Sequence, residues 1–270
     1  MSARASIILP AHNEAEYLGD CLSAVFDGGL AGGEVIVVAN GCTDQTAAIA
    51  RSFAAPDRAL HVIETPTGGK PHALRLGDAA AQYGARIYLD ADVIVAPGLI
   101  AALIKALSCD APRYGSGTPV VTHADSPITR AYTRLWKGLP FMDSGAPGFG
   151  LFAMNAAGRA RWGEWPDIIS DDTFARLHFT PNERVQLPQT YRWPMVEGCR
   201  NLVRVRRRQD RGVAEIAKLY PALLRNEGKA RVGLSGLAKR ALRDPVGFGV
   251  YAAVSLAVKL PGQGGWTRGR

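Results

Sequence analysis

Cysteine is scarce in this chain, and long apolar runs are missing. The four cysteines, Cys21, Cys42, Cys109 and Cys199, are scattered, with no C-x-x-C pair. That pattern suggests neither a disulfide framework nor a zinc site, and a reducing compartment is the expectation. In the tail, 13 uncharged residues lie between Pro245 and Lys259. A bilayer span needs roughly 20. The N-terminal "MSARASIILPAHNE" is too short and wrongly flanked for a signal peptide, so a cytoplasmic protein is expected. There is no internal repeat, no low-complexity segment and no linker long enough to divide the chain.

What is present is a chain of 270 residues, 47% apolar and 21% charged, ordinary for a folded domain with a sizeable core. The net charge of +8 conceals an asymmetry. Residues 200–270 hold 16 Lys or Arg against 4 Asp or Glu, whereas residues 1–199 hold 16 against 20. The basic character belongs to the tail. That tail lacks the interleaved aromatic platforms that grip single-stranded nucleic acid, so no nucleic-acid partner is expected.

The first hundred residues alternate between two patterns. "SIILPA" (6–11), "EVIVVAN" (34–40), "LHVIET" (60–65) and "RIYLDAD" (86–92) are short β-branched and aliphatic runs. Runs of this kind suit strands covered on both faces. Between them, "EAEYLGDCLSAVF", "TDQTAAIARSFAA" and "KPHALRLGDAAAQYG" have helical spacing. The alternation implies a parallel sheet with right-handed crossovers, and ligands of such sheets bind beyond the carboxyl ends of the strands. Further on, "SGTPVVTH" and "GFGLFAMN" read as strands, "DDTFARLHF" as a helix, and "RVQLPQTYRW" as a hairpin or bent strand around Pro188.

The fourth run ends in Asp90-Ala91-Asp92. In a strict strand, alternate residues share a face. Two carboxylates so placed suit a hard divalent cation, Mg²⁺ or Mn²⁺, with diphosphate oxygens completing its shell. Taken alone the triplet is a weak signal, since such triplets are common and a solvated loop is the better account of it.

Five motifs occur in order: "PAHNE" (10–14), "ANGCTD" (39–44), "GGK" (68–70), "DAD" (90–92) and "SDDTF" (170–174). Together they resemble the family 2 glycosyltransferases over about residues 5–210. The resemblance implies a GT-A fold: an α/β architecture with a Rossmann-like mixed sheet, helices on both faces and a C-terminal helical extension. It also implies inverting transfer from a nucleotide-diphosphate sugar, a UDP-sugar first and a GDP-sugar second. Pro10, Asn13 and Glu14 match the start of the nucleotide site, although Glu14 also suits a helix N-terminus. Asn40 stands where the family usually has aspartate and would face the base, or simply make a turn with Gly41. Lys70 would meet base or phosphate as a point charge. Asp90 and Asp92 would hold the metal. Asp172 matches the base that deprotonates the acceptor hydroxyl, and Asp171 would orient it or raise its pKa. Acidic capping of a helix is the plainer account of either. Gly148 and Gly150 match the segment on the acceptor side, where absent side chains let backbone approach the sugar. The family's Q-x-x-R-W is reduced to Arg208 within "VRRRQDRG". That motif is typical of processive members, so single-sugar transfer is expected.

The expected division is a catalytic domain over 1–212 and a basic amphipathic tail over 213–270. Val213, Ile216, Tyr220 and Leu223 form one helical stripe. The apolar run flanked by Lys239, Arg240, Arg243 and Lys259 suits a helix lying on the anionic inner face of a membrane. A helix pair packed on the domain or in a homodimer is the alternative. The acceptor is expected to be a glycan or a lipid-linked glycan, in cell-surface polysaccharide or glycolipid synthesis. Two other functions compete: nucleotidyl transfer to a sugar phosphate, and a non-catalytic binding scaffold.

Overall fold

The computed structural model describes residues 4–30, 32–142, 145–228 and 232–260. Positions 143 and 144 of the glycine-rich segment, and 229–231 and 261–270 of the tail, lie outside the described residues. The first half runs β1 (Ala5–Ala11), α1 (Leu18–Asp27), β2 (Glu34–Asn40), α2 (Thr46–Ser52), β3 (Leu60–Thr65), α3 (Lys70–Ala80) and β4 (Ala85–Leu89). Then come β5 (Ile94–Val95), α4 (Leu99–Leu107), β6 (Tyr114–Val121), α5 (Pro127–Lys137), β7 (Leu151–Met154) and α6 (Ala156–Arg159). The remainder is α7 (Asp171–Leu177), β8 (Arg184–Trp193), α8 (Cys199–Leu219), α9 (Leu234–Arg243) and α10 (Pro245–Lys259).

The strands make one mixed sheet in the order β3-β2-β1-β4-β7-β6-β8-β5. As the alternation implies, β3, β2, β1 and β4 are parallel. β7 enters antiparallel between β4 and β6. The near-continuous apolar runs are explained by burial on both faces. Ile7 and Leu9 of β1 and Val35 and Val37 of β2 enter one core with α1 and α4, through Leu18, Leu22, Leu99 and Leu103. Ile8, Ile36 and Val38 point to the opposite core, built with Leu74, Trp165 and Phe174. Side-chain alternation along each strand feeds the two layers in turn.

"RVQLPQTYRW" is one strand, not a hairpin. The pairing of β6 with β8 slips between Ser116 and Thr118, opposite the stretch that holds Pro188. A proline that cannot donate to the ladder belongs in such an irregularity.

The tail departs from its expected stripe. α8 stops at Leu219, and Pro221 opens a 3₁₀ turn over Pro221–Asn226, because proline lacks the N–H that would continue the helix. Ile216 is fully buried, yet Val213 is 45% exposed. The expected boundary at 212–213 falls inside α8. α10 packs on the domain: Val254 is buried in a third core with Tyr132 and Trp136 of α5 and Leu202 of α8. Its other side and α9 expose apolar surface, with Leu242 at 86% and Val246, Leu256 and Leu260 each at 64%. Among the described residues, no helix is long and apolar enough to cross a membrane.

Candidate active site

Beyond the carboxyl ends of β1, β2 and β4 lie two adjoining cavities. One, of about 510 Å³, is bordered by Pro10, Asn13, Glu14, Tyr17, Asn40 and Asp44. The other, of about 400 Å³, is bordered by Asp171 and Asp172 and by the aromatic rings of Trp136, Phe149 and Trp193. Lys70, Asp90, Asp92 and Arg208 border both. Strand ends from different crossovers therefore converge on one wall, as the sheet topology requires.

β4 ends at Leu89, so Asp90 and Asp92 sit in the following turn and not on one strand face. The turn is anchored by backbone. The Asp90 N–H donates to the Gly150 carbonyl at 2.8 Å, and the Val93 N–H donates to that of Asp90 at 3.1 Å. Ala91 and Val93 are buried on either side of Asp92. Gly150 has a positive φ of 74°, and a Cβ there would stand 2.7 Å from the Trp193 ring. Gly150 borders the acid-pair cavity, but its missing side chain is required by Trp193 and Val93. Gly148, also at positive φ, borders neither cavity. A Cβ at Gly148 would collide with the Tyr114 hydroxyl, so packing by itself requires glycine there.

Asn13 adopts the left-handed region at φ 53°, which asparagine tolerates. Its Oδ1 accepts from the Thr43 N–H at 2.6 Å, tying the β1–α1 loop to the β2–α2 loop. The Glu14 N–H donates to the Thr46 hydroxyl at 2.7 Å across the same junction. Asn40 is buried, and its amide is engaged by backbone groups. Its Nδ2 donates to the carbonyls of Ala11, at 2.8 Å, and Val38, at 3.3 Å. Its Oδ1 accepts from the Gly69 N–H at 2.9 Å. An aspartate here could not donate those bonds, which accounts physically for the asparagine.

Lys70 takes a role that its sequence position does not announce. Its Nζ lies 2.7 Å from Asp90 Oδ1 and 3.0 Å from Asp171 Oδ2, bridging the two carboxylate pairs. Burial would lower the lysine pKa, but the Asp171 and Asp90 carboxylates outweigh it and hold the ammonium above its ordinary value. Asp171, with 7% of its side chain exposed, has its carboxyl pushed up by burial, against the opposing pull of Lys70. Asp172 follows it in the first turn of α7, half-buried at the cavity edge, with its Oδ1 accepting from the Thr173 N–H at 2.6 Å. Both acids thus occupy favourable positions for a helix start and still face the cavity.

The basic run of α8 is divided by its contacts. Arg206 is held by Asp210 at 3.0 Å and the Tyr251 hydroxyl at 3.1 Å, and Arg207 by the Ala257 carbonyl at 2.7 Å. Arg208 alone of the three borders both cavities. Arg75 is bound to Asp167 at 2.9 Å. His72 lies 3.4 Å from the Thr65 hydroxyl and borders neither cavity. Sequence reading missed His12, Tyr17 and the wall of Trp136, Phe149 and Trp193. The His12 Nδ1 is 2.6 Å from the Asn40 carbonyl. "PAHNE" contains His12 and could have flagged it, but the aromatic wall joins segments with no shared signal.

Asp90 and Asp92 supply two hard oxygen donors on the shared wall. No group of three or more His, Cys, Asp or Glu gathers for a metal among the described residues. That set fits a divalent cation whose remaining ligands are diphosphate oxygens and water.

A sheet of this order, with carboxylates gathered beyond the parallel strand ends and a second acid pair across the cleft, defines a GT-A glycosyltransferase. The chain belongs to glycosyl transferase family 2, whose model matches residues 6–146. Among solved structures it is similar to the mannosyltransferase PcManGT from Pyrobaculum calidifontis, solved with GDP-Man and Mn²⁺. The two share 21% identity at a TM-score of 0.63 over 96% of this chain and 76% of that one. It is also similar to S. aureus TarS 1–349, solved with UDP-GlcNAc, at 17% identity and a TM-score of 0.53. That match covers 72% of this chain and 59% of that one. Glucosyl-3-phosphoglycerate synthase from Mycobacterium tuberculosis, solved with phosphoglyceric acid, matches at 19% identity and a TM-score of 0.52. It covers 80% of this chain and 79% of that one. Among curated proteins, none matches the sequence.

Proposed function

We propose that this glycosyltransferase moves one sugar, with inversion, from a nucleotide-diphosphate sugar to a glycan or lipid-linked acceptor. One observation carries the reading: Lys70 joins Asp90, beside Asp92, to Asp171, beside Asp172, across two adjoining cavities. The cavity of Pro10, Glu14 and Tyr17 takes the nucleotide, and the aromatic cavity takes the acceptor. Asp172 accepts the acceptor hydroxyl's proton while that oxygen bonds to the anomeric carbon. The bond from that carbon to the diphosphate breaks, and its electron pair leaves with the diphosphate. Asp90 and Asp92 would hold the divalent cation, which when bound neutralises the departing diphosphate. Lys70 and Arg208 supply fixed positive charge at the same wall. PcManGT was solved with GDP-Man and TarS with UDP-GlcNAc, so both bases enter the test.

The test is a thermal-stability screen of UDP- and GDP-sugars with and without Mn²⁺. A ligand at 100 times its Kd adds about 2.7 kcal/mol to stability. A rise in Tm that requires both metal and one class of nucleotide sugar is expected. No shift with any nucleotide sugar would overturn the donor assignment.

The outer face of the tail suits peripheral contact with an anionic membrane. Leu242 and Val246 are exposed beside the exposed Lys239 and Arg243. Each Lys or Arg at such a surface contributes about 1 kcal/mol. Arg240 is a poor probe, because it donates to the Gly138 carbonyl at 2.8 Å and supports packing. Lys239→Glu with Arg243→Glu is the better pair. Sedimentation with anionic vesicles should show binding that fades as salt rises and that this pair weakens. An absence of binding at low salt would retire the membrane contact.

A further inference from the structure

α8 carries a third cavity on its other side. Arg200, Arg204, Arg207, Arg208 and Arg211 fall on one stripe of the helix at about 100° per residue. They border a cavity of about 660 Å³ closed by the segments 69–71 and 167–169. Like charges spaced four apart mildly destabilise a helix, and a bound anion would relieve that repulsion.

Two carboxylates border the cavity against five arginines, and each has another partner. Asp167 is paired with Arg75 and is 82% exposed. Glu215 accepts from the Ile169 N–H at 2.8 Å. Several arginines elsewhere are matched with carboxylates: Arg86 and Arg159 with Asp78, Arg161 with Glu183, and Arg176 with Glu227. Arg207 is satisfied by the carbonyls of Ala257, Val258 and Leu260. The side chains of Arg200, Arg204, Arg208 and Arg211 make no hydrogen bond or ion pair to another described residue, and the Arg204 Nε is buried without a hydrogen-bond partner.

We infer that this cavity binds a phosphate or diphosphate group carried by the acceptor substrate. Guanidinium forks match phosphate oxygens bidentately, and several around one cavity select a multiply charged anion. Lys70 and Arg208 border this cavity and the acid-pair cavity alike, so an anion held here keeps an attached sugar beside Asp172. Leu260, whose carbonyl Arg207 holds at 3.0 Å, and Leu256 are both exposed. An apolar chain leaving the anion would meet that surface. The word "acceptor" rests on the proposed glycosyl transfer; the anion site stands on the arginines alone.

The probe is inorganic pyrophosphate, titrated calorimetrically into the full chain at low salt in chelator. Without metal, the carboxylates of the donor cavity repel this anion. Saturable binding is expected in the wild type and in Asp92→Asn. The triple variant Arg200→Gln, Arg204→Gln, Arg211→Gln should weaken it by about tenfold or more, since each lost fork removes charge-assisted bonds. These three residues border neither other cavity, and relief of their repulsion should leave Tm unchanged or raised. No saturable binding, or equal binding by a folded triple variant, would overturn the inference. Dodecyl phosphate distinguishes the sources. Tighter binding than inorganic phosphate that Leu256→Gln with Leu260→Gln removes marks a lipid phosphate. Equal binding of the two phosphates marks a soluble phosphorylated acceptor. Metal-dependent stabilisation by nucleotide sugars is recorded on the same samples. Its absence beside intact pyrophosphate binding would overturn the acceptor assignment and leave an anion site.

Discussion

Asp172→Asn should lower kcat by about 10²–10⁴-fold and leave donor affinity almost unchanged. Asparagine keeps the shape, and its Oδ1 still accepts from the Thr173 N–H that Asp172 binds at 2.6 Å. What it loses is the capacity to take a proton at the moment of attack. The neighbouring acid provides the control. Asp171 is almost enclosed and 3.0 Å from the Lys70 ammonium, which suits orientation and charge balance more than exchange of protons with an acceptor. Asp171→Asn should therefore disturb Lys70 and donor binding along with kcat. Single-turnover rates and nucleotide titrations on both variants decide the roles. If Asp172→Asn lost donor affinity and kept kcat, it would be a donor ligand and the assignment would fail.

Asp92→Asn should abolish metal-dependent nucleotide binding and turnover while the fold survives. Loss of an outer-sphere partner alone costs roughly 10–100-fold in metal affinity, and loss of a ligand carboxylate should cost more. The turn has reason to persist. Ala91 and Val93 are buried on either side, and the Asp90 N–H still reaches the Gly150 carbonyl. Calorimetry of UDP and GDP with and without Mn²⁺ provides a readout apart from turnover. Full wild-type activity in excess chelator would remove the metal role from Asp90 and Asp92. A large fall in Tm for Asp92→Asn would show that its carboxylate supports the fold instead.

Both expectations begin from motifs that were legible in the chain. Ile7 and Leu9 alternate with Ile8, and Val35 and Val37 with Ile36 and Val38, so a two-sided sheet could be read from the runs themselves. The order of "PAHNE", "ANGCTD", "GGK", "DAD" and "SDDTF" placed the cleft at the strand ends, because parallel topology leaves those ends nowhere else to meet. For Asn40 and Gly148 the contacts that hold the residue are distant in the chain or in space. Asn40 was read toward a base, yet its partners Ala11 and Gly69 each lie 29 residues away. Gly148 was read toward a sugar, yet Tyr114 claims the space.

The sequence by itself determined the family, the layered α/β sheet, the two acid pairs and the basic tail, since these depend on local periodicity and residue type. Only the tertiary structure decided that Lys70 bridges Asp90 and Asp171, that Trp136, Phe149 and Trp193 wall the cavity of Asp171 and Asp172, and that the α8 arginines border a further cavity. The physical reason is that an ion pair or a packed ring needs two groups within a few ångströms. No run of neighbouring residues specifies that distance until the crossovers and α8 have docked on the sheet.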